Sequence, residues 1–279
     1  PGWALLISRT GRKRALIPIL TMTIIEETVT GKNGPRLCED GIVISDDFVA
    51  VIDGSTSKTD FRLFPSSSNG RAAMMIVRDF ISRMPREVTC DDFCEAITRH
   101  IHYIYIKEGA DEELMRMRPE QRLTASAVVY SDFHRQVWMV GDCQAIVNGC
   151  LHVNEKPYER AVAARRAKYI KEGISPREAR ERIVPLLLEA MAGQNVSYAV
   201  IDGFSIPRQG VKVIPVEGGE VVLATDGYPF LCPTLAESEA RLARQLAVDP
   251  DNIHEFQATK GLIPGNVSFD DRAFVRFIP

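Results

Sequence analysis

Residues 38–55 read CEDGIVISDDFVAVIDGS. Two short apolar runs, GIVIS and FVAVI, are separated only by Asp46 and Asp47, the pattern of a β-hairpin. Acids stand at the far ends of both runs: Glu39 and Asp40 before the first, Asp53 at the close of the second. A turn about Asp46 places Glu39 opposite Asp53 and Asp40 opposite Ile52, with directly opposed Cβ atoms roughly 4.5–5.5 Å apart. Carboxylates so placed repel one another unless a cation or a proton lies between them. Gly54 follows at once, and its carbonyl is unshielded, a hard oxygen ligand in waiting.

Working outward, residues 22–30 are β-rich and predict a strand before the hairpin. After it, the PSSSNG loop opens a helical pattern over 71–84, with Ala72, Met75, Ile76 and Phe80 on one face. A second helix is expected from Asp91 to about Met117, interrupted near GADEE. Strands return at SAVVY, QVWMV and AIVNG. Residues 155–193 are rich in Arg, Lys, Glu and Ala, and Ser175-Pro176 with Glu178 marks a helix start there. Strands follow at SYAVI, VKVIPV and EVVLAT, then a helix around Thr234 to Leu246 and a terminal strand AFVRFI. Strands joined mainly as hairpins, with helices grouped between them, predict an α+β fold with antiparallel sheets.

The acids fall at strand ends throughout. Asp142 follows QVWMV, Asp226 follows VVLAT, and Asp270 and Asp271 precede AFVRFI. An Asp-Gly after a strand is a common turn, so no one of these is informative alone. Four acidic strand ends together with Glu39 and Asp40 can be gathered at one rim. Oxygen ligands without His or Cys suit Mg²⁺ or Mn²⁺ rather than zinc. Two such ions roughly 3.5–4 Å apart serve in-line displacement at phosphorus.

Composition narrows the remaining classes. The chain has 279 residues, 45% hydrophobic and 25% charged, with a formal net charge of -3, which gives no basic field for nucleic acid or a membrane surface. Six scattered cysteines without a CxxC pair fit reduced thiols, and a cytoplasmic location is expected. No apolar run approaches the roughly 18 residues of a membrane-spanning helix. Residues 1–21 are expected to be peripheral. No Cys has an Arg six residues on, and no GxxxxGK[ST] loop occurs, which counts against a thiolate phosphatase and an NTP-driven enzyme.

The ordered motifs CED (38–40), FVAVIDGS (48–55), LTASAVV (123–129), VWMVGDCQAIV (137–147), VVLATDG (221–227) and SFDDRAFV (268–275) resemble the metal-dependent, type 2C serine/threonine protein phosphatases, the PPM family. The resemblance implies a four-layer α-β-β-α sandwich of two antiparallel sheets, one domain over 22–279 with a helical insert at about 155–193. It implies two Mg²⁺ or Mn²⁺ ions and allows a third. Asp53 would bridge the two. Glu39 and the Gly54 carbonyl would serve one ion, with Asp40 holding its waters; Asp226 and Asp270 would hold the other, and Asp142 the third.

The implied activity is hydrolysis of phosphoserine or phosphothreonine in a phosphorylated protein through a metal-activated water. The alternatives are a pseudophosphatase scaffold that keeps its metals and a phosphatase of a small phosphorylated metabolite. Three positions depart from the family pattern. Ser55 stands where many members carry a His that protonates the leaving group, leaving a metal-bound water as one candidate acid. Pro35 stands at the place of the phosphate-binding Arg, so that role falls to Arg36 or Lys32. Phe230 replaces an acidic ligand of some members. Asp202, in a second VIDG at 200–203, reads as a strand-end turn. The basic residues of the insert, Arg160, Arg165, Arg166, Lys168, Lys171, Arg177, Arg180 and Arg182, read as a solvated helix face.

Overall fold

A computed structural model describes residues 22–279. The expectation for residues 1–21 lies outside the described residues.

The hairpin forms β2 (Asp40–Ile44) and β3 (Phe48–Gly54). Its loop is two residues, Asp46 and Asp47, closed by Ser45 N–H donating to the Phe48 carbonyl at 2.9 Å. An even-numbered loop moves the expected register by one. Asp40 pairs with Asp53 and Gly41 with Ile52, so it is Asp40, not Glu39, that faces Asp53.

The hairpin continues through β4 (Ala125–Ser131), β5 (Gln136–Val140) and β8 (Val211–Pro215) into an antiparallel sheet ordered β2-β3-β4-β5-β8. A second antiparallel sheet is ordered β1-β10-β9-β6-β7, from β1 (Thr23–Thr30), β10 (Arg272–Ile278), β9 (Val221–Ala224), β6 (Gln144–Val147) and β7 (Cys150–His152). Alternation along β3 shows how the layers stack. Val49 and Val51 point into the apolar layer between the sheets, with Val128, Met139, Leu223 and Val275. Phe48, Ala50 and Ile52 point the other way, onto α1 (Asn69–Ile81) and α2 (Cys90–Lys107). On the far face, Val222, Ala224 and Phe274 pack against Leu242 of α6 (Leu235–Val248). The order helices, sheet, sheet, helix is the expected four-layer α+β sandwich.

Several local expectations shift. Helix α1 buries Ala73, Met74, Val77 and Ile81 at helical spacing against the sheet, which turns Met75 outward to 42% exposure. The second helix breaks at Glu108–Asp111, and α3 (Glu112–Met117) restarts with Asp111 as its cap. SYAVI makes only isolated bridges, Ala125↔Ile201 and Gln194↔Tyr198, rather than a strand. The insert forms α4 (Glu159–Lys171) and α5 (Pro176–Met191), packed through Val162, Ile183 and Leu187. Arg166 is not on a solvated face: it is 1% exposed and donates to the Asp251 and Ala258 carbonyls.

Candidate metal and phosphate site

Sheet pairing brings the strand-end acids to one edge of the sandwich. Carboxylate oxygens of Asp53 (end of β3), Asp142 (after β5) and Asp226 (after β9) lie within 4.8 Å of one another. Asp270, just before β10, lines the same cavity of about 80 Å³. Asp40 is 4% exposed, and its Oδ2 is buried without a hydrogen-bond partner.

Glu39, the residue just before β2, is held by two hydroxyl donors. Thr56 Oγ1 and Ser68 Oγ each donate to it at 2.6 Å, one to either oxygen. Ser68 is also the N-cap of α1, accepting from Arg71 N–H at 3.2 Å. The Glu39 backbone N–H donates to Asp271 Oδ2 at 3.0 Å, and the Lys32 N–H donates to Asp271 Oδ1 at 2.7 Å. Asp271 therefore ties two loops together, whereas its neighbour Asp270 faces cations: Lys32 at 3.1 Å, and Lys260.

The Gly54 carbonyl shares this corner. A Cβ on Gly70 would lie 2.6 Å from Glu39 Oε1 and 2.8 Å from the Gly54 carbonyl oxygen, so these two oxygens crowd the same space beside the start of α1. A Cβ on Gly54 itself would sit 2.1 Å from the Gly70 carbonyl, which only glycine permits.

The electrostatics are those of an under-neutralised acidic cluster. Burial, then Asp53, pushes Asp40 well above the usual carboxylate range. Burial, then Asp142 and Asp270, raises Asp53 to about 7. Asp226 is likewise raised by burial and by Asp53. Burial opposes ionisation at Asp142 and Asp270 too, yet Lys156 holds the first down and Lys260 with Lys32 pulls the second to about 2. Lys156 Nζ lies 2.5 Å from Asp142, and Ser126 Oγ donates to the same carboxylate at 2.6 Å. An all-oxygen donor set, mutual repulsion and an orphaned buried carboxylate oxygen together fit hard divalent cations.

Several residues of this site were not singled out by the sequence. Lys58, Lys156, Lys260 and Glu159 line the cavity; Arg180 of the insert, expected on a solvated helix face, lines it too, and its guanidinium donates to the Thr259 carbonyl at 2.7 Å. They come from separate loops and helices with no common spacing, so nothing local marks them. Of the two candidate phosphate cations, neither of which lines the cavity, Lys32 contacts Asp270 and Asp271, while Arg36 is exposed on the same connection. Phe230 packs on Phe256, with Arg241 over its ring. Asp202 is fully buried and paired with Arg122 at 2.8 Å, away from the cluster's lining residues. Among the described residues no helix is long and apolar enough to cross a membrane.

No protein-family model matches the chain, and no curated protein matches it. Solved structures do. The chain is similar to the catalytic domain of the serine/threonine protein phosphatase PstP in complex with two manganese ions, at 14% identity over 92% of this chain and 99% of that one, TM-score 0.47. It is similar to RsbX in complex with magnesium at 13% identity, over 92% and 98% of the two chains, TM-score 0.43. It is also similar to the serine/threonine phosphatase Stp1 from Staphylococcus aureus, at 14% identity, over 91% and 94%, TM-score 0.45.

Proposed function

We propose that this protein is a metal-dependent phosphomonoester hydrolase acting on phosphoserine or phosphothreonine in proteins. The observation that carries the reading is the convergence of Asp53, Asp142 and Asp226 within 4.8 Å in a cavity ringed by cations. Acids of that density hold divalent ions; Lys32, beside Asp270, and Arg180 of the cavity wall suit a phosphate dianion next to them.

Asp53, Asp226, Asp270, Glu39 and the Gly54 carbonyl would hold two ions, with Asp142 beside Asp226 for a third and Asp40 orienting the waters around them. When bound, the ions polarise phosphoryl oxygens and lower the pKa of a nucleophilic water. The chain's own contribution is positional. Thr56 and Ser68 fix the Glu39 carboxylate, and Asp271 fixes the loop that carries Glu39 and Lys32. Lys32, rather than Arg36, is the cation that neutralises the phosphate. A groove of about 490 Å³ shares Asp142, Lys156, Asp226 and Lys260 with the cavity and runs out past Phe256 and Tyr228. Such an open groove suits a segment of protein chain better than an enclosed metabolite pocket would.

The test is hydrolysis of p-nitrophenyl phosphate with Mn²⁺ or Mg²⁺ by wild type and Asp53→Asn. Turnover abolished by a chelator and lost in the variant is the expected result. Folded protein that turns over with neither ion would leave the scaffold reading standing, and undiminished activity in Asp53→Asn would overturn the site assignment.

A further inference from the structure

A serine or threonine alkoxide is a poor leaving group, so its departure from phosphorus calls for a proton donor within reach. Such a donor has to belong to the cavity lining. No histidine is among its residues. Its hydroxyls are too weakly acidic, and Tyr158 and Tyr198 are pushed further up by burial. Asp53, Asp142, Asp226 and Asp270 are the carboxylates assigned to the ions, and Glu159, raised by burial, lies toward the groove in the field of Lys156. Lys156 is paired with Asp142 and Lys260 with Asp270, while Arg180 carries a guanidinium that does not give up its proton.

Lys58 is different. It sits on the β3–α1 connection, four residues past Gly54, and is partly buried at the cavity wall. Its ammonium donates to the backbone carbonyl of Thr56, the residue whose hydroxyl holds Glu39. No carboxylate is paired with it among the described residues. The charged groups that face it come from every neighbouring segment: Lys260 and Asp270 before β10, Arg180 on α5, Lys156 before α4. Asp53, Asp142, Asp226 and Glu159 share the cavity.

Resting on the phosphatase reading above, we propose that the Lys58 ammonium is the general acid of this site, protonating the leaving oxygen of the phosphoserine or phosphothreonine. The bond from phosphorus to the leaving oxygen breaks with its electron pair going to that oxygen, which takes the Lys58 proton and leaves as the alcohol. The attacking water forms the new bond to phosphorus. One of its protons stays on the product phosphate and the other returns through solvent to the Lys58 amine. The environment suits the task. Burial first, then Lys260, Arg180 and Lys156, lowers Lys58 to about 7, where a donor can both give and regain a proton near neutrality.

The experiment compares wild type, Lys58→Met and Lys58→Arg on p-nitrophenyl phosphate, phenyl phosphate and a phosphoserine peptide, all with Mn²⁺. p-Nitrophenolate departs without a proton, whereas phenolate, with a pKa of ~10 like tyrosine, gains from one. We expect Lys58→Met to lose about 10²-fold in kcat on phenyl phosphate and the peptide, and under about fivefold on p-nitrophenyl phosphate. Lys58→Arg keeps the charge and should not restore phenyl phosphate turnover. The fall in wild-type phenyl phosphate kcat above neutral pH should be missing in Lys58→Met. Equal losses on all substrates, or rescue by Arg, would overturn the acid role in favour of simple phosphate binding. Wild type without metal-dependent turnover on p-nitrophenyl phosphate would overturn the phosphatase reading, and the acid role with it.

Discussion

Asp40 lies directly across the β2–β3 ladder from Asp53, with Asp40 4% exposed. Two acids opposed in a buried register position are unfavourable by themselves, and burial together with neighbouring carboxylates raises both. The strand pairing thus holds open a place for positive charge.

Divalent ions should therefore stabilise the fold. At an ion concentration 100 times Kd, mass action contributes about 2.7 kcal/mol per site. Thermal melts with Mn²⁺ and with chelator should differ by several degrees, and Asp53→Asn should erase most of that difference. Identical melting curves for wild type under both conditions would contradict the metal assignment.

Lys32 and Arg36 share one connection but only Lys32 contacts Asp270, at 3.1 Å. Lys32→Ala should raise KM for p-nitrophenyl phosphate about tenfold, the loss of one charge-assisted contact to phosphate. Arg36→Ala should leave KM within about twofold. Steady-state kinetics in saturating Mn²⁺ decide which cation serves the phosphate.

Gly54→Ala would drive a methyl group to 2.1 Å from the Gly70 carbonyl and 2.8 Å from that of Glu39. Both obstacles are backbone, so β3 and the start of α1 must separate. We expect a loss of about 2 kcal/mol or more in urea unfolding, the scale of an overpacked site. Mn²⁺ affinity, followed by isothermal titration calorimetry, should fall with it.

Asp202 and Arg122 form a buried pair at 2.8 Å, and Arg122 also covers the Phe204 ring at 3.8 Å. Asp202→Ala strands a buried guanidinium and should cost about 3–5 kcal/mol by chemical denaturation. At a temperature where the variant is still folded, its metal-dependent turnover should persist. That result separates this acid from the cluster around Asp53.

Lys58 also has a stability signature. Its folded-state pKa is depressed from 10.5 to about 7, so between those values the unfolded chain binds a proton that the folded chain does not. Stability from this group is present above the unfolded value and is lost as pH falls through that window. Lys58→Met should accordingly raise Tm of the metal-free protein at pH 7 by ~3 °C, with the gain shrinking toward pH 10. Calorimetric scans at the two pH values test the sign.

The elements and the acids are legible along the chain alone. Short continuous apolar runs such as FVAVI, bounded by turn residues, read as strands buried on both faces, and the strand-end positions of Asp53, Asp142, Asp226 and Asp270 were visible beside those runs. Ser175-Pro176 announced α5 because a cap and a first-turn proline act within four residues. Everything that depends on who sits opposite whom came with the folded chain. A two-residue loop, not a turn centred on Asp46, set the register that pairs Asp40 with Asp53. SYAVI, strand-like in composition, found a partner only at Ala125 and Gln194 and stayed irregular. The cations of the site, Lys58, Lys156, Arg180 and Lys260, arrive from segments up to two hundred residues apart in sequence, and their roles depend on burial and long-range fields that no local pattern encodes.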